Sequence, residues 1–331
     1  MRSNKLSLKN NLKLSRGVSM MLIASLAFGF MNVTVKMISG MHVSEIVFFR
    51  ALVQILIASV ILFKQKESPI GKNPKMLFMR GLFGSLGLLC YFYSLQLMPL
   101  SNALVIHYIS PILTTILAML MGDERVRPIQ WLFFLICIIG VIIVNSDFGT
   151  TQLVAAGDSK YSSLVMGGNS SAWENFSLNQ IKILQGVTPF GIVMGLGGAF
   201  FSAFAYNTIR RLKGIENPNV VVLYFPLVTI PISLIFPFGG WGSWYWPSVM
   251  EWIWLLLTGV FTQVGQFFMT RAYQEAETKL VSAISYAGII WGTAFGLFLF
   301  NESYNMFQYL GMGLVILGMV LNVQINKQTS K

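Results

Sequence analysis

Charge is what this sequence lacks. Only 11% of its 331 residues are charged, where an average soluble domain has about 25%. Acidic residues are the scarcest, 12 Asp and Glu against 23 Lys and Arg, for a formal net charge of +11. A soluble fold would need an unusually large apolar core under an almost uncharged surface. The 55% hydrophobic content and mean hydropathy of +0.66 indicate an integral membrane protein instead. In a soluble protein so basic a balance would suggest nucleic acid as partner. Here the cations cluster between apolar runs, so membrane topology explains them and no nucleic-acid partner is expected.

Other absences narrow the chemistry. There is no GxxxxGK[ST] phosphate loop, hence no ATP-driven pump domain in the chain. There is no HExxH and no Cys/His cluster, so no metal and no cofactor is expected. No acidic pair falls mid-membrane, and the charges are too scattered for a catalytic constellation, so the chain reads as a non-enzyme. Both cysteines, Cys90 and Cys137, lie inside apolar runs and read as small packing residues. The basic N-terminus (Arg2, Lys5, Lys9, Lys13, Arg16) resembles a signal-peptide leader, but Val18–Met37 is about as long as a full span. No small-residue cleavage site stands out, so an uncleaved first transmembrane helix is expected.

Ten apolar segments are present, at roughly 17–38, 46–63, 76–97, 101–121, 129–145, 188–210, 219–238, 251–272, 279–300 and 306–325. They define a basic cytoplasmic N-terminus (1–16), a first five-helix set (17–145) and a Ser, Gly and Asn-rich outer loop (146–187). A second five-helix set (188–325) and a cytoplasmic C-terminus (326–331) follow. With the N-terminus inside, nineteen Lys and Arg fall on the inner side and three (Lys36, Lys160, Lys182) on the outer, Arg50 lying within a span. Both termini should therefore face the cytoplasm of a multi-pass protein of the plasma (inner) membrane. Trp241, Trp244, Trp246, Trp252 and Trp254 crowd one outer loop, where an interfacial belt is expected. Asn169 and Asn175 open glycosylation sequons in the long loop, but such triplets are common by chance in Asn/Ser-rich sequence.

The two sets repeat at a fixed offset of 178 residues. Gly81 maps to Gly259, Phe83 to Phe261, Gly87 to Gly265, Gln96 to Gln274 and Tyr108 to Tyr286. Thr115 then maps to Thr293, Glu124 to Glu302, Gln130 to Gln308 and Gly140 to Gly318. Agreement of Gly, Gln, Tyr and Glu in one register is far less cheap than agreement among Leu and Ile. Because five is odd, the second copy would enter the membrane inverted, an architecture common in secondary transporters.

"FFRALV" opening the second segment, "LMPLSNALVIHYISPILTTILAMLMGDE" and its echo "EAETKLVSAISYAGIIWGTAFGLFLFNE" resemble the EamA-type family of the drug/metabolite transporter superfamily. The resemblance covers nearly the whole chain except 146–187, a loop longer than the family usually has. It implies an all-α membrane protein of ten helices in two inverted repeats. It also implies a central cavity lined mainly by segments 1, 3, 4, 6, 8 and 9, and a small organic cargo such as an amino acid, nucleoside or drug-like compound. The rival from another class is an intramembrane enzyme acting on a lipid or lipid-linked substrate.

Candidate transport residues follow from polarity at mid-depth, where a polar group faces a partner helix or a wet cavity. Pro111 lies about 15 Å into segment 4; it cannot donate to the carbonyl of His107, and its ring bends the helix. Ser110 and Tyr108 add hydroxyls. His107 either binds cargo or a proton, which would couple transport to the proton gradient, or stays neutral and bonds a neighbouring helix. Tyr108 and its partner Tyr286 either line the cavity or pack with their hydroxyls tied to backbone, and Ser285 takes the place of His107 in the second copy. Gln263 is preferred over Gln266 as a cavity residue, because its counterpart Ser85 is also polar. Asn32 and Asn207 are cavity candidates with interhelical bonding as the alternative, and Trp291 either stacks on an aromatic substrate or packs. Arg50 either snorkels to headgroups or serves as the partner of an anion or of a gate, with Glu45, a little over one turn earlier, within pairing reach. Glu124 and Glu302, at the ends of their helices, are expected to cap the next helix or pair with basic neighbours.

Overall fold

A computed structural model of the full chain describes residues 2–38, 41, 43–97, 106–124, 126–145, 189–235, 246–300 and 306–329. The described residues are all-helical, with no strand among them. Among the described residues eleven helices follow in order: α1 (Arg2–Met37), α2 (Val43–Gln65), α3 (Pro74–Leu97), α4 (Ser110–Leu120), α5 (Pro128–Asn145) and α6 (Pro189–Arg211). Then come α7 (Pro218–Ile235), α8 (Val249–Glu275), α9 (Thr278–Ser285), α10 (Ala287–Phe300) and α11 (Met306–Thr329). Among the described residues six stretches are long and apolar enough to cross a membrane: Arg16–Val35, Glu45–Gln65, Pro189–Arg211, Val249–Glu275, Thr278–Leu299 and Met306–Ile325. Shorter apolar helices cover 110–120, 128–143 and 218–234. α1 runs on through the basic residues 2–16 as one helix. Glu302, the whole of the 146–187 loop, Trp241 and Trp244 lie outside the described residues.

These helices are apolar on more than one side. On α5 the outward stripe is Ile129, Leu132, Leu135, Ile139 and Ile142, while Phe133, Phe134, Cys137 and Val141 face inward. Both stripes keep the three- and four-residue helical spacing. On α2, Leu52, Leu56, Val60 and Phe63 are exposed while Ala51, Ala58 and Leu62 are buried. A soluble bundle would carry charge on the outer stripe; lipid is the solvent that suits Leu and Phe there.

Most packing joins the two halves of the chain rather than neighbours within one. α1 packs on α8, α9 and α10; α3 packs on α6 and α7; α2 packs on α7 and α8; α5 packs on α11. The contacts are reciprocal at the offset of 178. Gly140 of α5 abuts the carbonyl of Gly311 on α11, and Gly318 of α11 abuts the carbonyl of Phe133 on α5. Gly318 is the counterpart of Gly140, and Gly311 of Phe133. Cys137 likewise meets the carbonyl of its own counterpart, Val315, at 3.8 Å. A residue touching its own equivalent is the signature of a local two-fold axis. The glycines are needed because a Cβ at 140 would sit 2.6 Å from the Gly311 oxygen, and only small residues let backbones approach so closely.

Candidate functional site

The chain tightens at one place in each half. In the first, residues 106–107 are helical, 108–109 form a turn, and α4 starts at Ser110. Pro111 supplies no N–H, and Ile112 N donates to Ile109 O (3.0 Å) rather than to Tyr108 O. The carbonyl of Tyr108 is thereby released and accepts the hydroxyl of Tyr286 at 2.8 Å. The second half tightens at the matching residue, Tyr286, between α9 and α10, with Ile289 N on Tyr286 O (3.0 Å). There is no proline there. A break expected from Pro111 in one half is thus present in both, and the proline reinforces a turn that the packing of the paired tyrosines also imposes. Beyond the turn the copies agree again: Thr115 donates to Pro111 O (3.0 Å) and Thr293 to Ile289 O (2.9 Å).

The tightened turns border a cavity of about 250 Å³. Met21, Ser25, Phe28 and Asn32 of α1 line one wall, with Tyr91 of α3. His107, Tyr108, Ser110 and Pro111 form a second wall, and Tyr206, Met269, Tyr273, Ser285 and Gly288 complete it from the other half. A second lobe of about 230 Å³ shares Phe28, Met31, Tyr91, His107, Tyr206 and Met269 with the first and reaches Arg50, Arg80, Ser202, Thr262 and Gln266. Rings dominate: His107 packs on Tyr91 with centroids 4.3 Å apart, and Tyr108 stacks on Tyr286 at 5.8 Å. The Nδ1 of His107 and the Oγ of Ser110 are buried without a hydrogen-bond partner.

Asn32, His107, Tyr108, Ser110, Pro111 and Ser285 therefore meet in one cavity. The other candidates have other addresses. Tyr286 is fully buried and spends its hydroxyl on the Tyr108 backbone. Asn207 is fully buried and donates to Thr114 O (2.9 Å) and Ala203 O (3.0 Å), tying α6 to α4. Trp291 donates from Nε1 to Ser25 Oγ (3.0 Å), bracing the wall from behind. Gln263 lies in a separate depression with Ile57, Ile61 and Gln65 of α2; the glutamine at the cavity is Gln266. Arg50 lines the second lobe, where one of its guanidinium nitrogens (Nη1) lies 3.8 Å from the Met31 sulfur, and it makes no ion pair with Glu45.

Glu124 crosses between the halves. It accepts the N–H groups of Thr278 and, at 3.1 Å, of Lys279, and pairs with Arg210 at 2.9 Å. α9 has no side-chain cap of its own at Glu277, so Glu124 satisfies its first turn. Close by, the Tyr206 and Tyr273 rings, both in the cavity wall, stack at 5.1 Å and 11°, while Asn32 near the other end of α1 is exposed.

Sequence reasoning missed Tyr91, Tyr206, Tyr273 and Arg80. Arg80 looks like a loop cation when counted with Lys72 and Lys75. It is 2% exposed, lies six residues inside α3, donates to Gln266 Oε1 at 3.0 Å and sits 5.2 Å over the Phe225 ring. The available signal was its position, about 9 Å past the start of the helix. Among the described residues no group of His, Cys, Asp and Glu could hold a metal ion.

A sequence model of the EamA-like transporter family matches residues 15–146 and 189–324, and the chain belongs to that family. It is 27% identical over 314 residues to the pseudopaline exporter CntI of Pseudomonas aeruginosa, covering 93% of this chain and 95% of that one. It is 25% identical over 290 residues to human solute carrier family 35 member G1, covering 86% of this chain and 73% of that one. A solved crystal structure superposes with a TM-score of 0.74 at 16% identity, covering 96% of this chain and 99% of the other. The protein is an integral, multi-pass membrane protein with transporters as relatives.

Proposed function

We propose that this chain is a secondary transporter that moves a small organic metabolite across the plasma (inner) membrane by alternating access. In this reading residues 17–145 and 188–325 are two inverted five-helix repeats making ten spans, with both termini cytoplasmic and 146–187 outside. The observation that carries it is the two-lobed cavity between halves that touch reciprocally at one offset, with the exposed Asn32 on its border. Two copies packed about a local two-fold can exchange roles, so that the end now latched by Glu124, Arg210 and the Tyr206–Tyr273 stack opens while its counterpart closes. The naming of CntI as an exporter supports outward movement.

Within the cavity, His107, Tyr108, Ser110, Asn32 and Ser285 contact cargo. His107 carries a proton or a substrate hydrogen bond, and Pro111, Tyr286 and Trp291 hold the wall. Asn207, Glu124 and Glu302 serve gating or helix docking, Arg50 acts at the second lobe that it lines, and Gln263 lies away from the path. The test is purified protein in liposomes loaded with a metabolite pool. Protein-dependent loss or exchange of intact compounds supports transport, and chemical conversion without translocation refutes it.

A further inference from the structure

We infer that the cargo is a small organic anion, its carboxylate or phosphate group held between Arg50 and Arg80 in the second lobe of the cavity. Both guanidiniums line that lobe. Arg50 is 6% and Arg80 2% exposed, and neither is in an ion pair among the described residues. Arg50 reaches only the thioether of Met31; Arg80 has one amide oxygen and the face of Phe225. The Nε of each is buried with no acceptor. No Asp or Glu lines either lobe.

Two permanent positive charges out of water with no counter-charge are costly in isolation. An anion in the adjacent empty volume supplies that counter-charge, and the planar fork of each guanidinium suits a two-oxygen acceptor. The fold makes room for this head group: a Cβ at Gly84, one turn along α3, would collide with the Arg80 guanidinium and lie 2.8 Å from the Phe225 ring. The neighbouring polar groups Ser202, Thr262 and Gln266 are neutral and complete the coordination. The first lobe, walled by Tyr91, Tyr108, Tyr206 and Tyr273, takes the uncharged body of the same molecule. With no carboxylate on the wall, an ammonium group has no charged partner, which favours a net anion over an amino-acid zwitterion or a polyamine.

This inference rests on the transporter reading, and the experiment separates the two. Full-length protein is reconstituted with an equimolar pool of succinate, citrate, glucose 6-phosphate, phenylalanine, adenosine and putrescine, and the same compounds are tested singly for raising the melting temperature in detergent. Selective movement of one or more anions is expected. Arg50→Gln and Arg80→Gln should cut that movement at least ten-fold and abolish the anion's thermal stabilisation. Because each removes an unpaired buried charge, both variants should fold with unchanged or higher intrinsic stability, whereas a purely structural arginine would leave them destabilised. Preference for adenosine, phenylalanine or putrescine overturns the anion assignment and leaves transport intact, as do unchanged kinetics in both variants. Stabilisation by anions without any translocation keeps the site and removes the transporter reading. No translocation and no stabilisation by any compound removes both.

Discussion

Glu124 and its neighbour Asp123 offer a controlled comparison of two ion pairs. Each faces an arginine of α6: Asp123 meets Arg211 at 3.2 Å and Glu124 meets Arg210 at 2.9 Å. The distances are close, but the surroundings differ. The Asp123 and Arg211 side chains are 31% and 43% exposed, the Glu124 and Arg210 side chains 3% and 17%. Water screens the first pair, which should contribute about 0–1 kcal/mol. Glu124→Ala removes a buried charge partner, a loss of about 3–5 kcal/mol in comparable sites. It also strips two backbone N–H groups at the start of α9 of their acceptor, worth about 1 kcal/mol. Arg210 keeps the carbonyl of Ala276 and some access to water, which places the net loss near the lower end, about 3 kcal/mol. At roughly 2 °C per kcal/mol for a chain of this size, Glu124→Ala should melt about 6 °C lower, and Asp123→Ala should melt with the wild type. Thermal unfolding of the purified protein in detergent reads both. The Glu124→Ala/Arg210→Ala cycle should give a coupling of about 1–3 kcal/mol. Equal melting of Glu124→Ala and wild type, or equal losses from the two alanine variants, would refute the claim that burial decides the value of these pairs.

Tyr286→Phe leaves the released carbonyl of Tyr108 buried without its donor, and should cost about 1–3 kcal/mol, read as a lower melting temperature with little change in helix content by circular dichroism. Gly140→Val drives a side chain into the Gly311 carbonyl and should cost at least about 1–3 kcal/mol; Gly313→Ala on the same partner helix, where nothing lies within 4 Å of the added Cβ, is the control expected to be neutral. His107→Gln, assayed in liposomes between about pH 5 and 8, should flatten the pH profile of transport if the ring carries a proton. A variant that keeps both rate and profile removes His107 from the mechanism.

Much of the architecture is visible in the chain as written. A membrane solvent requires long apolar helices with satisfied backbones, so hydropathy alone marks the apolar part of each helix among the described residues, and beyond a few residues at helix ends only the basic stretch 2–16 of α1 is helix outside those segments. The offset of 178 is equally legible, and it anticipates which residues meet: Gly140 with the partner of Phe133, Cys137 with Val315, Tyr108 with Tyr286. Equivalents close to the local two-fold axis meet each other, whereas those far from it meet other elements, as Gly81 meets Tyr224 and its equivalent Gly259 meets Val53. The turn at Tyr108 and Ile109, ahead of Ser110 and Pro111, follows in part from proline's missing donor.

What the sequence could not decide is which side of each helix faces the cavity. Gln263 and Gln266 are three residues apart, both polar and both mid-helix, yet only Gln266 reaches Arg80 and the cavity. The difference is a rotation of α8 set by its contacts with α1 and α2. Arg80 reads as one of several cations near an inner loop until α6, α7 and α8 close around it. Glu124 looks like the end of its own helix, and its partners are Arg210, Thr278 and Lys279, over eighty residues away. Composition and periodicity are properties of a single strand of chain, so they determine the solvent, the helices and the repeat. The site is made of groups from nine helices and the turn ahead of α4, and only side-by-side packing brings two uncompensated arginines, a histidine and four tyrosines around one cavity.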